Sequence, residues 1–394
     1  MIGGFHKMTE QSISDAIKYI GVDDRGIDLF ESQYQVPNGV SYNSYIILDK
    51  KIAIMDTVDR RATETWFENV ERVLDGKVPD YLIISHMEPD HAANIQNIAE
   101  KYPTMQLVGN AKTFQMLSQF FSFSFEGRTL TVKEGDELSL GEHTLVFYMA
   151  PMVHWPEVMV EYEKKEQILF SADGFGKFGA LDAEEDWTPE ARRYYINIVG
   201  KYGAQVQALL KKASGLTISK ICPLHGPVLT ENLGYYLEKY KIWSSYQPEE
   251  KGILIAYASI HGNTKKAAEK MEELLKQAGT ETVKLMDLSR ADLAEAVADA
   301  FCYDRMLLAC ATYDGGLFPV MEDFLQHLKS KNYQKRKVGL LENGSWAPLA
   351  AKKMKEYLEQ MKDIELCTPV VTIKSAMKED TLEVMKQLVS VLKD

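Results

Sequence analysis

Cysteine is rare in this chain. Four occur, Cys222, Cys302, Cys310 and Cys367, and no C-x-x-C pair is present to hold zinc, an iron–sulfur cluster or rubredoxin-type iron. The expectation is therefore four free, buried thiols in a reducing compartment. Long apolar runs are missing as well. Nothing approaches the ~18 residues of a membrane span, and the start Met1-Ile2-Gly3-Gly4-Phe5-His6-Lys7 lacks an apolar signal core. A cytoplasmic protein with no membrane partner is expected. Positive charge is in deficit: 45 Lys and Arg face 57 Asp and Glu, for a net −12, which repels phosphate backbones and argues against nucleic acid as a partner. There is no internal repeat, no low-complexity segment and no G-x-G-x-x-G, so a nicotinamide dinucleotide site is not indicated.

What is present is ordinary globular composition, 45% hydrophobic and 26% charged over 394 residues, enough for two or three domains. The charge is unevenly placed. Residues up to 250 hold 24 basic and 36 acidic side chains, and the rest hold 21 of each, so the first part carries the whole excess.

The first part mixes strands and helices. Ser41–Leu48 and Lys51–Asp56 read as a hairpin around Asp49-Lys50. Tyr81–Ser85 reads as a strand, residues 92–102 as a helix, and Thr144–Met149, Gln167–Ser171 and Ser219–Cys222 as further strands. The polar Ser244–Lys251 segment, with Pro248, is the best linker, giving domains 1–249 and 250–394. After it the pattern becomes regular. Apolar strands at Ile253–Tyr257, Thr282–Met286, Met306–Ala311, Lys337–Leu341 and Val370–Ile373 alternate with helices, which predicts a parallel five-stranded sheet covered on both faces.

The strongest chemical signal is His86-x-Glu88-x-Asp90-His91, directly after an apolar strand. Four potential ligands within six residues converge only where the chain curls. His154, Asp173 and His225 follow strands in similar contexts. Glu88 and Asp90 could instead cap a helix, with the histidines as hydrogen-bonded loop residues. The repeated strand-end placement of all seven favours a metal site. His6, His143 and His327 lack that context and read as surface or packing residues.

The order H-x-[HE]-x-D-H, then His, Asp and His, resembles the metallo-β-lactamase fold, an αββα sandwich with two metals at its strand ends. Hydrolases of that fold usually place His where this chain has Glu88. An anionic oxygen there shifts preference from zinc toward iron or manganese. With Glu88 in place the chain resembles the flavodiiron proteins, or A-type flavoproteins. The resemblance also covers Gly39–Tyr45 (GVSYNSY) and Glu190–Tyr195 (EARRYY). It implies that one iron takes His86, Glu88 and His154, the other Asp90, His91 and His225, with Asp173 bridging and Tyr195 facing the pocket. Just before Leu29-Phe30-Glu31 some members carry a pocket histidine, where this chain has Asp28.

In the second part, Ser259-Ile260-His261-Gly262-Asn263-Thr264 sits between a strand and a helix, as a phosphate-binding nest does. A capped helix entered by a tight turn would look the same. Two more loops follow parallel strands: Ala311-Thr312-Tyr313-Asp314-Gly315-Gly316, and Glu342-Asn343-Gly344-Ser345-Trp346. Ligands of doubly wound sheets bind at such strand ends. The three together resemble the FMN loops of flavodoxin.

The resemblance implies FMN and two irons as cofactors, and reduction of O2 to water, of NO to N2O, or both. It also implies a separate rubredoxin-type donor, because no fused module is expected after residue 394. A head-to-tail homodimer, or a dimer of dimers, would set the flavin of one subunit against the diiron site of the other. Lys329, Lys331, Lys335, Arg336 and Lys337 form a basic cluster that could steer an acidic donor, although a solvated loop is the plainer reading. A metal-dependent hydrolase, or an FMN electron carrier with a structural metal site, are the rival readings.

Overall fold

The computed structural model describes residues 13–393. Met1–Lys7, including His6, lies outside the described residues. The chain divides into two compact units: residues up to 195 with 204–240, and residues 196–203 with those from 241 on.

The first unit contains two facing sheets. One runs in the order Ile17–Tyr19, Tyr45–Ile47, Ala53–Met55, Tyr81–Ile83, Gln106–Gly109, Thr129–Thr131. The other runs Glu137–Ser139, Thr144–Met149, Met159–Glu163, Ile168–Phe170, Lys220–Cys222. Alternation along each strand sends one set of side chains inward. Tyr45, Ile47, Met55 and Ile83 of the first sheet share a buried cluster with Leu145, Phe147, Met159 and Phe170 of the second. The opposite faces are buried too, as Ile46, Ile54, Leu82 and Leu107 show. This is the expected αββα sandwich.

The hairpin expected at 41–56 forms with a difference. Tyr45–Ile47 pairs antiparallel with Ala53–Met55, but Val40–Tyr42 breaks away to pair with Val22–Asp24. Asn43 and Ser44 form the break because their side chains are used elsewhere. The helix expected at 92–102 is likewise interrupted, into Pro89–Ala92 and Ile95–Lys101.

In the second unit Glu250–Ala258, Val283–Asp287, Tyr303–Tyr313 and Arg336–Asn343 form a parallel sheet. Its order is second, first, third, fourth, which is the flavodoxin-like arrangement. The expected fifth strand forms at Val371–Ile373, and a further short strand not expected, Ile364–Leu366, precedes it; both pair parallel with the fourth. Fully apolar strands are explained by burial on both faces: Ile253, Leu254, Ile255 and Ala256 have no exposure.

The Ser244–Lys251 segment is packed instead of free. The Tyr246 hydroxyl donates to the Gly200 carbonyl at 3.0 Å, and Arg336 Nη1 donates to the Tyr246 carbonyl at 2.8 Å. This also corrects the reading of the basic cluster. Arg336 is 2% exposed and its guanidinium is spent on backbone carbonyls, including those of Tyr303 and Phe301. Lys335 bonds the Ser245 carbonyl. Arg336 thus braces the fold and presents no charge to a donor, whereas Lys335 remains exposed. All four cysteines are buried and free, as expected. His143 is a buried packing residue held by Asp49 and Glu166, and His327 lies on a helix surface beside Asp323. Among the described residues no helix is long and apolar enough to cross a membrane.

Candidate metal and flavin sites

Strand Tyr81–Ile83 delivers the chain to Ser85, and there Asp56 intervenes. Its Oδ1 accepts from the Ser85 N–H at 2.7 Å and the His86 N–H at 3.4 Å, fixing where the ligand loop leaves the sheet. Asp56 takes a positive φ of 54° to do so. Ser85 in turn donates to Glu161 at 3.0 Å. Burial pushes Asp56 up to about 6 and Glu161 well above the usual carboxylate range.

The seven expected ligands converge into two sets. His86, Glu88, His154 and Asp173 form one; Asp90, His91 and His225 form the other. In the first, His86 Nε2 is 3.4 Å from His154 Nε2, and Glu88 Oε2 is 3.3 and 3.0 Å from those two nitrogens. In the second, His91 Nε2 is 3.0 Å from His225 Nε2, and Asp90 Oδ2 is 3.3 and 3.2 Å from them. Asp173 joins the sets. Its Oδ2 is 3.1 Å from His154 and 3.3 Å from His86, whereas its Oδ1 is 3.4 Å from His91.

These spacings fit metal ions. Ligands ~2.0–2.2 Å from an ion stand roughly 3.0–3.5 Å from one another. Two imidazole nitrogens 3.0 Å apart cannot both point hydrogens at each other: either one donates to the other, or both give lone pairs to a cation between them. Both oxygens of Asp90 and of Asp173 are buried and accept no well-formed hydrogen bond. Glu88 precedes helix Pro89–Ala92 but makes no cap with its side chain, which removes the helix-cap alternative.

Electrostatics point the same way. Burial pushes Asp90 up to about 7, against the pull of His91 and with the Glu88 and Asp173 charges adding to it. Asp173 is held well below the ordinary range: burial raises it, but the His86 charge and the His154 and His91 rings outweigh that. His154 is raised to about 9 although burial opposes it, because Asp173 and Glu88 face its ring. Those protons are what a bound cation would displace.

Outer contacts orient the rings. His86 Nδ1 meets Glu157 Oε1 at 2.8 Å, which also accepts from the Met87 N–H. His225 Nδ1 donates to the Ser41 carbonyl at 2.7 Å. Each leaves Nε2 for the metal. The Gly39–Tyr45 run is thus a cradle for the His225 loop. Asn43 Nδ2 donates to the Pro223 and Gly226 carbonyls, Tyr45 donates to Pro223, and Ser41 Oγ accepts from the Gly226 N–H. Glu157, Glu161 and Asp56 carried no motif; each is a buried carboxylate recognised only by its contacts.

One expectation at the pocket is corrected. Tyr194, not Tyr195, stands against the ligands: its ring is 5.4 Å from that of His225, and the Asp173, Asp90 and Glu88 charges, after burial, push its hydroxyl well up. Tyr195 packs edge-on against Tyr240 at 5.0 Å. Successive helix residues point about 100° apart, so adjacent tyrosines cannot share a face. Asp28 is exposed and its carboxylate accepts from the Leu29 N–H. Glu31 comes closer, pushed up to about 7 by partial burial and the Glu88 charge, with His154 opposing.

In the second unit the three expected loops surround a cleft of about 490 Å³. Ile260, His261, Asn263 and Thr264 line one side, Ala311–Gly315 another, and Asn343–Trp346 a third. Ala347, Leu349 and, from a fourth loop, Ser375 line it without having been expected. Four expected residues do not line it: Ser259, Gly262, Gly316 and Glu342. Ser259 Oγ accepts from the Gly262 N–H and closes the turn. Gly262 adopts φ +87° before helix Asn263–Gln277, a conformation that favours glycine. Gly316 enters the short strand Gly316–Leu317. Glu342 is buried and spent on the Ala351 N–H and Thr372 hydroxyl. Trp346 is 93% exposed and Tyr313 44%, so two large rings border the cleft with little covering them. A flat ring system would cover them, and the helix start would meet a phosphate. The cleft therefore fits a flavin mononucleotide.

Comparison with known proteins agrees. Residues 40–226 match the family model described as the ODP family beta lactamase, and residues 254–376 match the flavodoxin domain. A nitric oxide reductase of Moorella thermoacetica is 29% identical, with 94% of this chain and 95% of that protein covered. The structure of rubredoxin oxygen:oxidoreductase from Desulfovibrio gigas is similar with a TM-score of 0.91 at 26% identity, covering 98% of each chain. The flavodiiron protein of Giardia intestinalis shares the fold, with a TM-score of 0.90 at 24% identity over 98% of this chain and 97% of that one. With both domains matched in order and all seven ligands assembled, the chain belongs to the flavodiiron proteins.

Proposed function

We propose that this protein reduces O2 to water with four electrons, NO to N2O with two, or both, at a non-haem diiron centre supplied by FMN from a rubredoxin-type donor. The observation that carries the reading is the division of the Asp173 carboxylate between two ligand sets, in a chain that also builds a flavin cleft. When bound, the irons supply open coordination positions and two electrons, and the reduced flavin two more. His86, Glu88 and His154 would hold one ion, Asp90, His91 and His225 the other, and Asp173 both. Glu157 and the Ser41 carbonyl keep two rings in the ligating tautomer. Tyr194 walls the second set, its ring 5.4 Å from that of His225 and its hydroxyl within the field of the carboxylates. The nitric oxide reductase and the rubredoxin oxygen:oxidoreductase among similar proteins support the two gases and the donor. A head-to-tail homodimer or dimer of dimers in the cytoplasm belongs to the same proposal.

The test is anaerobic. Protein of known iron and FMN content is reduced through rubredoxin, and O2 and NO consumption are followed side by side. Faster O2 loss without peroxide identifies an oxygen reductase, and faster NO loss with N2O a nitric oxide reductase. If loaded protein consumes neither gas, the reading fails.

A further inference from the structure

Helix Gly203–Ala213 lies over the outer face of the second sheet and does not fill the space beneath it. A cavity of about 30 Å³ remains between Val206 and Leu210 of the helix and Tyr148, Val160 and Leu169 of the sheet. A water-sized occupant needs roughly 10–15 Å³ by this measure, so there is room for a molecule of two heavy atoms. Its inner end is formed by the ligand loops themselves: Val153 precedes His154, and Ser171 and Gly174 flank Asp173.

The cavity has nothing to offer water. The Ser171 hydroxyl is spent on the Gly174 carbonyl at 2.6 Å. The Tyr240 hydroxyl accepts from the Phe175 N–H at 2.6 Å. Lys212, at the rim, bonds Glu134 and the Met149 carbonyl. Water in a cavity needs two to four polar partners, and apolar cavities without them stay dry and take up xenon or small apolar molecules. The outer wall is thin, since Leu209, Leu210 and Ala213 are only half-buried.

We propose that this cavity is a docking site for small apolar gas molecules of the class of O2 and NO, immediately behind the loops that carry His154 and Asp173. The identity of the gas rests on the proposed function; the existence of the site does not.

The experiment has two arms on metal-loaded holoprotein. Crystals pressurised with xenon should show an atom between Val206 and Leu169. In Val206→Phe, which fills the space, the xenon should vanish. KM for the gas should rise several-fold, with kcat at saturating gas and the metal and FMN contents unchanged. Should Val206→Phe fail to fold, Leu209→Phe at the half-exposed rim makes the same test. Absence of xenon in the parent protein overturns the proposal, as does loss of xenon with kcat/KM unaltered. A parent protein that consumes neither gas overturns the proposed function, while xenon occupancy still decides the cavity.

Discussion

His86 Nδ1 lies 2.8 Å from Oε1 of Glu157, a carboxylate with no solvent exposure. The contact fixes the tautomer that presents Nε2 to the first ligand set. Glu157→Gln keeps the shape and removes the charge, and outer-shell changes of this kind cost about 10–100-fold in metal affinity. Competitive chelation should show that loss at one ion per chain, with the second retained. Equal loss of both ions would place the role of Glu157 elsewhere.

Tyr194 and Tyr195 separate in space, and a separation of their effects on turnover is the expected consequence. Tyr194→Phe should lower gas turnover about tenfold, the ~1.4 kcal/mol of one transition-state hydrogen bond, with iron content kept. Tyr195→Phe should stay within about twofold of the parent. The reverse order in steady-state assays would return the pocket role to Tyr195.

A Cβ on Gly344 would stand 2.7 Å from Pro348 Cα and 3.1 Å from Thr312 Oγ1. That hydroxyl already accepts from the Leu349 and Ala350 N–H groups, so the loop has no room to yield without moving. Gly344→Ala should weaken FMN binding by tenfold or more, about 1.4 kcal/mol. Fluorescence titration of apoprotein measures it, and an unchanged Kd would show that the loop does not shape the flavin site.

Asp49 links the hairpin turn to His143. It accepts from the Lys50, Glu142 and His143 N–H groups and from the His143 ring. Burial raises the carboxyl, but the His143 contacts and then the other amides hold it at about 2, below its ordinary 3.8. A depressed carboxyl stabilises the fold fully above its unfolded value and loses that contribution as pH falls through the folded one. Asp49→Asn should cost about 1–3 kcal/mol at neutral pH. In urea titrations the gap to the parent should hold steady above about pH 4 and narrow toward pH 2. A gap independent of pH would mean that the charge is irrelevant.

Glu88 and Glu157 show what a sequence can and cannot disclose. Glu88 is legible because it sits in a tight run of ligand-type residues after an apolar strand. Glu157 lies 71 positions from the ring that it orients, and no periodicity marks it. The same holds for Asn43 and Ser41, whose run carries a family resemblance but whose task, gripping the His225 loop, appears only in the folded contacts. The flavin loops were legible as glycine-bearing strand ends. Glu342 and Ser259 share the sequence pattern of the residues that line the cleft, and hydrogen-bond use by neighbours decides which side chains reach it.

By itself the sequence determined which seven ligand-type side chains come together, the order of the two sheet architectures and the three loops around the cleft. Strand periodicity and strand-end placement are local properties, written in neighbouring residues. Tertiary structure alone decided how Asp173 divides its oxygens, which of two adjacent tyrosines meets the ligands, and that Arg336 is a buried brace. It also decided that a dry cavity remains behind the ligand loops. Each of these depends on the rotation of a helix or on contacts between segments far apart in the chain, and chain neighbours do not encode those distances.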